Sequence, residues 1–94
     1  MKYSKEELEY LRATVRTARA RGYATPSAVH RYLATEPRCF ASTAEDRRYR
    51  AATTTVPDFA GKLLELAELY EERAALAQSV YDKVSAASER LRHG

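Results

Sequence analysis

The strongest constraint in this chain is an apolar series that runs from Val56 almost to the C-terminus. Val56, Phe59, Leu63, Leu66, Tyr70, Arg73, Ala77, Val80, Val84, Ala87 and Leu91 follow one another in alternating steps of three and four, with Arg73 the single polar member. That spacing is a heptad seam on one side of a helix. Asp58, just after Pro57, is the expected N-cap, Gly61 is the only weak helix former, and Arg90, Arg92 and His93 suit the negative end of the helix dipole. One helix of about 35 residues is therefore predicted, spanning about 52 Å. A compact domain of this chain length is only about 30–35 Å across. The helix should overhang the rest of the chain and leave Val80, Val84, Ala87 and Leu91 bare. The same seam of a second copy is the natural cover, through Leu63, Leu66, Tyr70, Ala77, Val80, Val84, Ala87 and Leu91, with the small Ala77 and Ala87 permitting close approach. A bend near Ser79 or Ser85 that folds the end back is the alternative.

Upstream, three shorter helices are expected. Ser4 followed by Glu7 forms a capping box, Leu8, Leu11, Val15 and Ala18 make an apolar stripe, and Gly22 fits the left-handed position that ends a helix. The second helix begins with Thr25 as cap and Pro26 at its first position, buries Ala28, Val29, Tyr32 and Leu33, and stops at Pro37. A connection over 37–42 is anchored by Phe40. Ser42 with Glu45 then opens a third helix near Thr43, which fades through Thr53, Thr54 and Thr55 and closes at Pro57. The fold class predicted is all-α, a single domain over 1–94. Residues 1–56 would form a basic three-helix head, and 57–94 a long oligomerisation helix.

Composition narrows the function. The 94 residues include one cysteine, Cys39, so no internal disulfide forms, as in a reducing cytoplasm. No apolar run is long enough to span a membrane, and Lys2 to Glu7 do not begin a signal peptide. Abundant arginine and alanine suggest a GC-rich bacterial or phage genome. The only histidines, His30 and His93, lack a nucleophile and an orienting acid at a spacing that catalysis uses, and with Cys39 they are too few and scattered to hold a metal. A Cys39–His30 thiol–imidazole pair is the one catalytic option, set against an inert cysteine in the core beside Phe40. No glycine-rich phosphate loop is present, and Glu71 with Glu72 suits a solvated face better than a general acid/base pair. A non-catalytic protein is expected, with no cofactor, metal, membrane or small-molecule substrate.

Charge supplies the main functional signal. Residues 1–56 carry 11 Lys and Arg against 6 Asp and Glu, while 57–94 carry 5 against 7. Arg12, Arg16 and Arg19 recur on one side of the first helix, and Arg47, Arg48 and Arg50 crowd the third. A helix pair followed by an arginine-rich helix is the layout of many DNA-binding domains. In that reading Arg47 and Arg50 contact bases or phosphates, Ser42 and Thr43 lie near the backbone, Arg16 and Arg19 hold flanking phosphates, and Tyr49 stacks on a base or ribose where the target is single-stranded. The opposing reading pairs these arginines with the row Glu65, Glu68 and Glu72, and gives the seven tyrosines to a protein interface or to the margin of the core. A nucleic-acid-binding regulator is expected, with a protein-binding inhibitor or adaptor as the alternative.

Overall fold

A computed structural model describes residues 2–93, except for the side chain of His93. The described residues form three helices, α1 (Lys5–Ala20), α2 (Pro26–Thr53) and α3 (Pro57–His93), in a body 56 × 28 × 20 Å. The all-helical class is as expected. The arrangement is not three short helices and one long one.

The first helix begins and ends as its sequence indicates. Ser4 Oγ accepts from the Glu7 amide at 3.1 Å, and Glu7 Oε1 accepts from the Ser4 amide at 2.7 Å, so the capping box is complete. Gly22 takes φ 94°, a left-handed conformation that L side chains rarely adopt, and the chain turns there. The buried face of α1 is rotated by about one residue from the expected stripe. Glu7, Tyr10, Thr14 and Ala18 are buried, while Leu8, Leu11 and Val15 are only partly so.

The largest correction concerns Pro37. Thr25 caps α2 and Pro26 opens it, but the helix then runs straight through Pro37 to Thr53. The expected connection at 37–42 and the cap at Ser42 do not exist, because Ser42 and Thr43 are mid-helix. An interior proline costs a hydrogen bond and a steric clash, about 3 kcal/mol. Against this stands the packing of a continuous inward line. Leu33, Pro37, Phe40, Ala44, Arg47 and Ala51 recur in steps of four and three, and Leu33, Pro37 and Ala44 are buried. Ending the helix at Pro37 would remove the whole second half of that line from α3. Pro57, expected to close this helix, instead opens α3, so Asp58 lies in the first turn and not at the cap.

α2 and α3 form an antiparallel hairpin. Near its open end His30 Nε2 lies 2.8 Å from Ser85 Oγ, and its ring packs against Tyr81 at 5.3 Å. Midway Phe40 stacks on Tyr70 at 6.4 Å, and nearer the turn Arg48 forks onto Glu71. Because α2 is 28 residues long, it accompanies most of α3. The expected overhang shrinks to the last turns, where Leu91 is exposed.

The line of α3 that meets α2 is Leu63, Ala67, Tyr70, Ala74, Ala77, Tyr81, Val84 and Ser88, all buried or half-buried. It departs from the predicted seam at every second member. Ala67 is fully buried, whereas Leu66 is 42% exposed. With Ala44 opposite also buried, small residues line the hairpin and allow close approach. The larger leucine is left outside.

α1 crosses only the open end of the hairpin. Its first turns lie on α3, where Glu7 Oε2 accepts from Ser79 at 2.6 Å, Glu7 Oε1 accepts from Lys83 Nζ at 2.6 Å, and Tyr10 joins Ala77 and Val80 in one core cluster. Its last turns lie on α2, where Ala18 packs with Val29, Tyr32 and Leu33.

Candidate interaction surfaces

The expected nucleic-acid residues fall into two separate sets. Arg12, Arg16 and Arg19 share the exposed side of α1 and flank a shallow depression floored by Leu11 and Val15. Among the described residues none of the three has an ion-pair partner. The acidic row Glu65, Glu68 and Glu72 does not take them up, as the opposing reading required.

Arg47, Arg48 and Arg50 lie near the turn of the hairpin and are engaged. Arg48 donates from Nε and Nη2 to the two carboxylate oxygens of Glu71, at 2.9 and 2.6 Å. This fork raises the Arg48 pKa and lowers that of Glu71, through the hydrogen bonds first and the opposite charge after. Arg47 and Arg50 share Asp46, at 2.6 and 3.1 Å. Tyr49, between them in sequence, is 69% exposed. Ala18 packs on Leu33, and Arg47 is 14 residues further along α2, so the Arg19 end of the first row and this cluster are about 20 Å apart. They do not form one surface, and no short recognition helix carries either set.

The expected oligomerisation residues are largely used within the chain. Leu63, Ala77 and Val80 are buried, while Tyr70, Val84 and Ala87 are half-buried. Of those eight residues only Leu66 and Leu91 are exposed, and of the rest of the seam Val56, Phe59 and Arg73 are exposed too.

The apolar surface left open shares Phe59 and Leu66 with the predicted seam and adds Leu69. Between the turn and the edge of α1, α3 exposes Phe59, Leu66 and Leu69 on one side, with Phe59 at 52% and Leu69 at 60%, while Val56 is exposed in the turn and Leu64 on the other side of the helix. Arg73 marks the boundary, because its guanidinium lies over Tyr10 of α1 at 5.1 Å and over Phe40 of α2 at 5.9 Å. The predicted seam presents Arg73 as a flaw and does not single out Leu69. The signal is present as a second heptad line, one step around from the first, comprising Phe59, Lys62, Leu66, Leu69, Arg73, Leu76 and Val80.

Two buried polar groups support the α1 contact. The Glu7 carboxyl is held down to a pKa of about 2, first by the Lys83 hydrogen bond, then by the Ser4 amide and the Ser79 hydroxyl. Tyr10 is pushed up to about 12, chiefly by burial and next by the charge of Glu36. Its buried hydroxyl makes no hydrogen bond of good geometry among the described residues, although the Thr14 side chain beside it pulls the pKa partly back down.

The catalytic option does not assemble. His30 is engaged by Ser85 and Tyr81 on α3, and Cys39 is exposed instead of lying in the core. Among the described residues no group of three or more His, Cys, Asp or Glu converges as metal ligands. No helix among them is long and apolar enough to cross a membrane. Comparison with protein-family models, curated proteins and solved structures finds no match for this chain.

Proposed function

We propose that this chain is a non-catalytic protein-binding module, an inhibitor or adaptor whose contact surface is the turn half of the α2–α3 hairpin. One observation carries the reading. Phe59, Leu66 and Leu69 are large apolar side chains left exposed on one side of α3, next to the lines that α2 and α1 cover. Monomeric proteins rarely leave contiguous apolar patches above a few hundred Å² without a use for them. The carboxylates of Asp46 and Glu71 beside Arg47, Arg48 and Arg50 support the same choice, because they cancel two of the three positive charges that this cluster would offer a phosphate. The test is affinity capture at high salt with the wild-type protein and with Leu69→Glu. A specific protein held by the first and lost by the second supports the proposal. A partner held equally by both sinks it.

A second reading, nucleic-acid binding, is favoured by the unpaired row Arg12, Arg16 and Arg19 on α1. Three phosphate contacts predict a log–log salt slope of about −3 in fluorescence anisotropy with labelled duplex DNA. That slope should vanish when the three are changed to glutamate. Absence of binding at low salt removes this reading.

A further inference from the structure

We propose that the turn half of the hairpin is covered in solution by the turn half of a second copy, lying antiparallel to it. This deepens the protein-binding reading of the same surface and rests on it.

The argument begins with helical position. At 100° per residue Phe59, Leu66 and Leu69 fall on the side of α3 that also carries Arg73 and Val80. Tyr10 of α1 packs on Val80, and the guanidinium of Arg73 lies over the Tyr10 ring at the edge of that contact. The open strip is therefore the uncovered continuation of the groove that α1 fills. Leu64, although exposed, lies about 160° around the helix from Leu66 and belongs to the opposite side.

Sterics choose the sense of pairing. α1 stands on this side of the hairpin at its open end. Two copies facing each other in parallel would set α1 against α1 and hold the strips apart. In the antiparallel sense each α1 lies beyond the other copy's turn, and the two strips meet. Reversal about a point near residue 64 brings Phe59 of each copy to Leu69 of the other and places Leu66 beside the two-fold axis. Lys62 then stands next to Glu65 across the interface, so the strip is complementary to itself in both shape and charge.

The area is sufficient. The turn half comprises about 16 residues of each helix, hence a footprint about 24 Å long and about 20 Å wide. Two such faces bury about 1,000 Å² or more in total, near the lower limit for a specific interface, as in a weak dimer.

Sedimentation equilibrium from about 5 to about 300 µM, the range in which a weak dimer dissociates, tests this. The wild-type mass should rise from 10.6 kDa towards twice that value. Leu69→Glu and Phe59→Glu should remain monomeric with unchanged helical signal, whereas Leu64→Glu, on the opposite side, should still dimerise. In a Cys39→Ser background, Leu66→Cys should cross-link on oxidation and Leu64→Cys should not. A wild-type monomer throughout the range, or a dimer that survives Leu69→Glu, overturns the inference. If the protein stays monomeric yet captures a partner that Leu69→Glu releases, the self-pairing is wrong and the binding-module reading stands.

Discussion

Exchanging the roles of Leu66 and Ala67 tests the hairpin register directly. Leu66 is 42% exposed, so more than half of its surface is already covered. Full burial of a leucine side chain contributes about 1.5–3 kcal/mol, so Leu66→Ala should cost about 1 kcal/mol. Ala67 is fully buried in the hairpin interior. Ala67→Leu adds three carbons where two helices meet through alanine, and overpacking of this kind costs about 1–3 kcal/mol. In a domain of this size each kcal/mol moves Tm by about 4–8 °C. Ala67→Leu should therefore lower Tm by roughly 5–20 °C and Leu66→Ala by about 5 °C. Circular dichroism melts and urea titrations at low micromolar concentration, below the expected self-association, give both values. If Leu66 were inside the hairpin, its truncation would cost about 2–5 kcal/mol. A larger loss from Leu66→Ala than from Ala67→Leu would refute the register.

Two further outcomes follow from the α1 contact. Tyr10→Phe removes a buried hydroxyl that makes no hydrogen bond of good geometry among the described residues and keeps the ring under Arg73, so stability should rise by about 1 kcal/mol in urea unfolding, and a clear loss would show that the hydroxyl is satisfied. Glu7 has a folded pKa of about 2, below its ordinary value of 4.5, so its contribution is complete above about 4.5 and lost as pH falls towards 2. Glu7→Gln should flatten the pH dependence of Tm in that window, and an unchanged profile would contradict the Lys83 and Ser79 pairing.

Local signals were legible wherever the chemistry is local. The Ser4–Glu7 box, the Thr25–Pro26 start and the Gly22 stop each depend on neighbours within a few residues, and each is present. The existence of a long C-terminal helix followed from periodicity in the same way. The sequence also contains the line Leu33, Pro37, Phe40, Ala44, Arg47 and Ala51, but the local rule against proline in a helix outweighed it. A proline penalty is a fixed local cost, whereas the compensation comes from a partner helix far away in the chain.

The candidate surfaces divide along the same line. Sequence alone determined that the chain is helical, where α1 begins and turns off, and that Arg12, Arg16 and Arg19 share one side of α1. Tertiary structure decided that Arg48 is tied to Glu71, which lies 23 residues away and meets it only when the hairpin closes, whereas the Asp46 pairs of Arg47 and Arg50 are local to α2. It also decided which heptad line of α3 is spent inside the chain. Hydrophobicity favours Leu66 for the interior, but close approach of two helices favours Ala67, and that preference exists only once α2 is in place. With α2 on one line of α3 and α1 covering half of the next, the strip at Phe59, Leu66 and Leu69 is left open by geometry and not by composition.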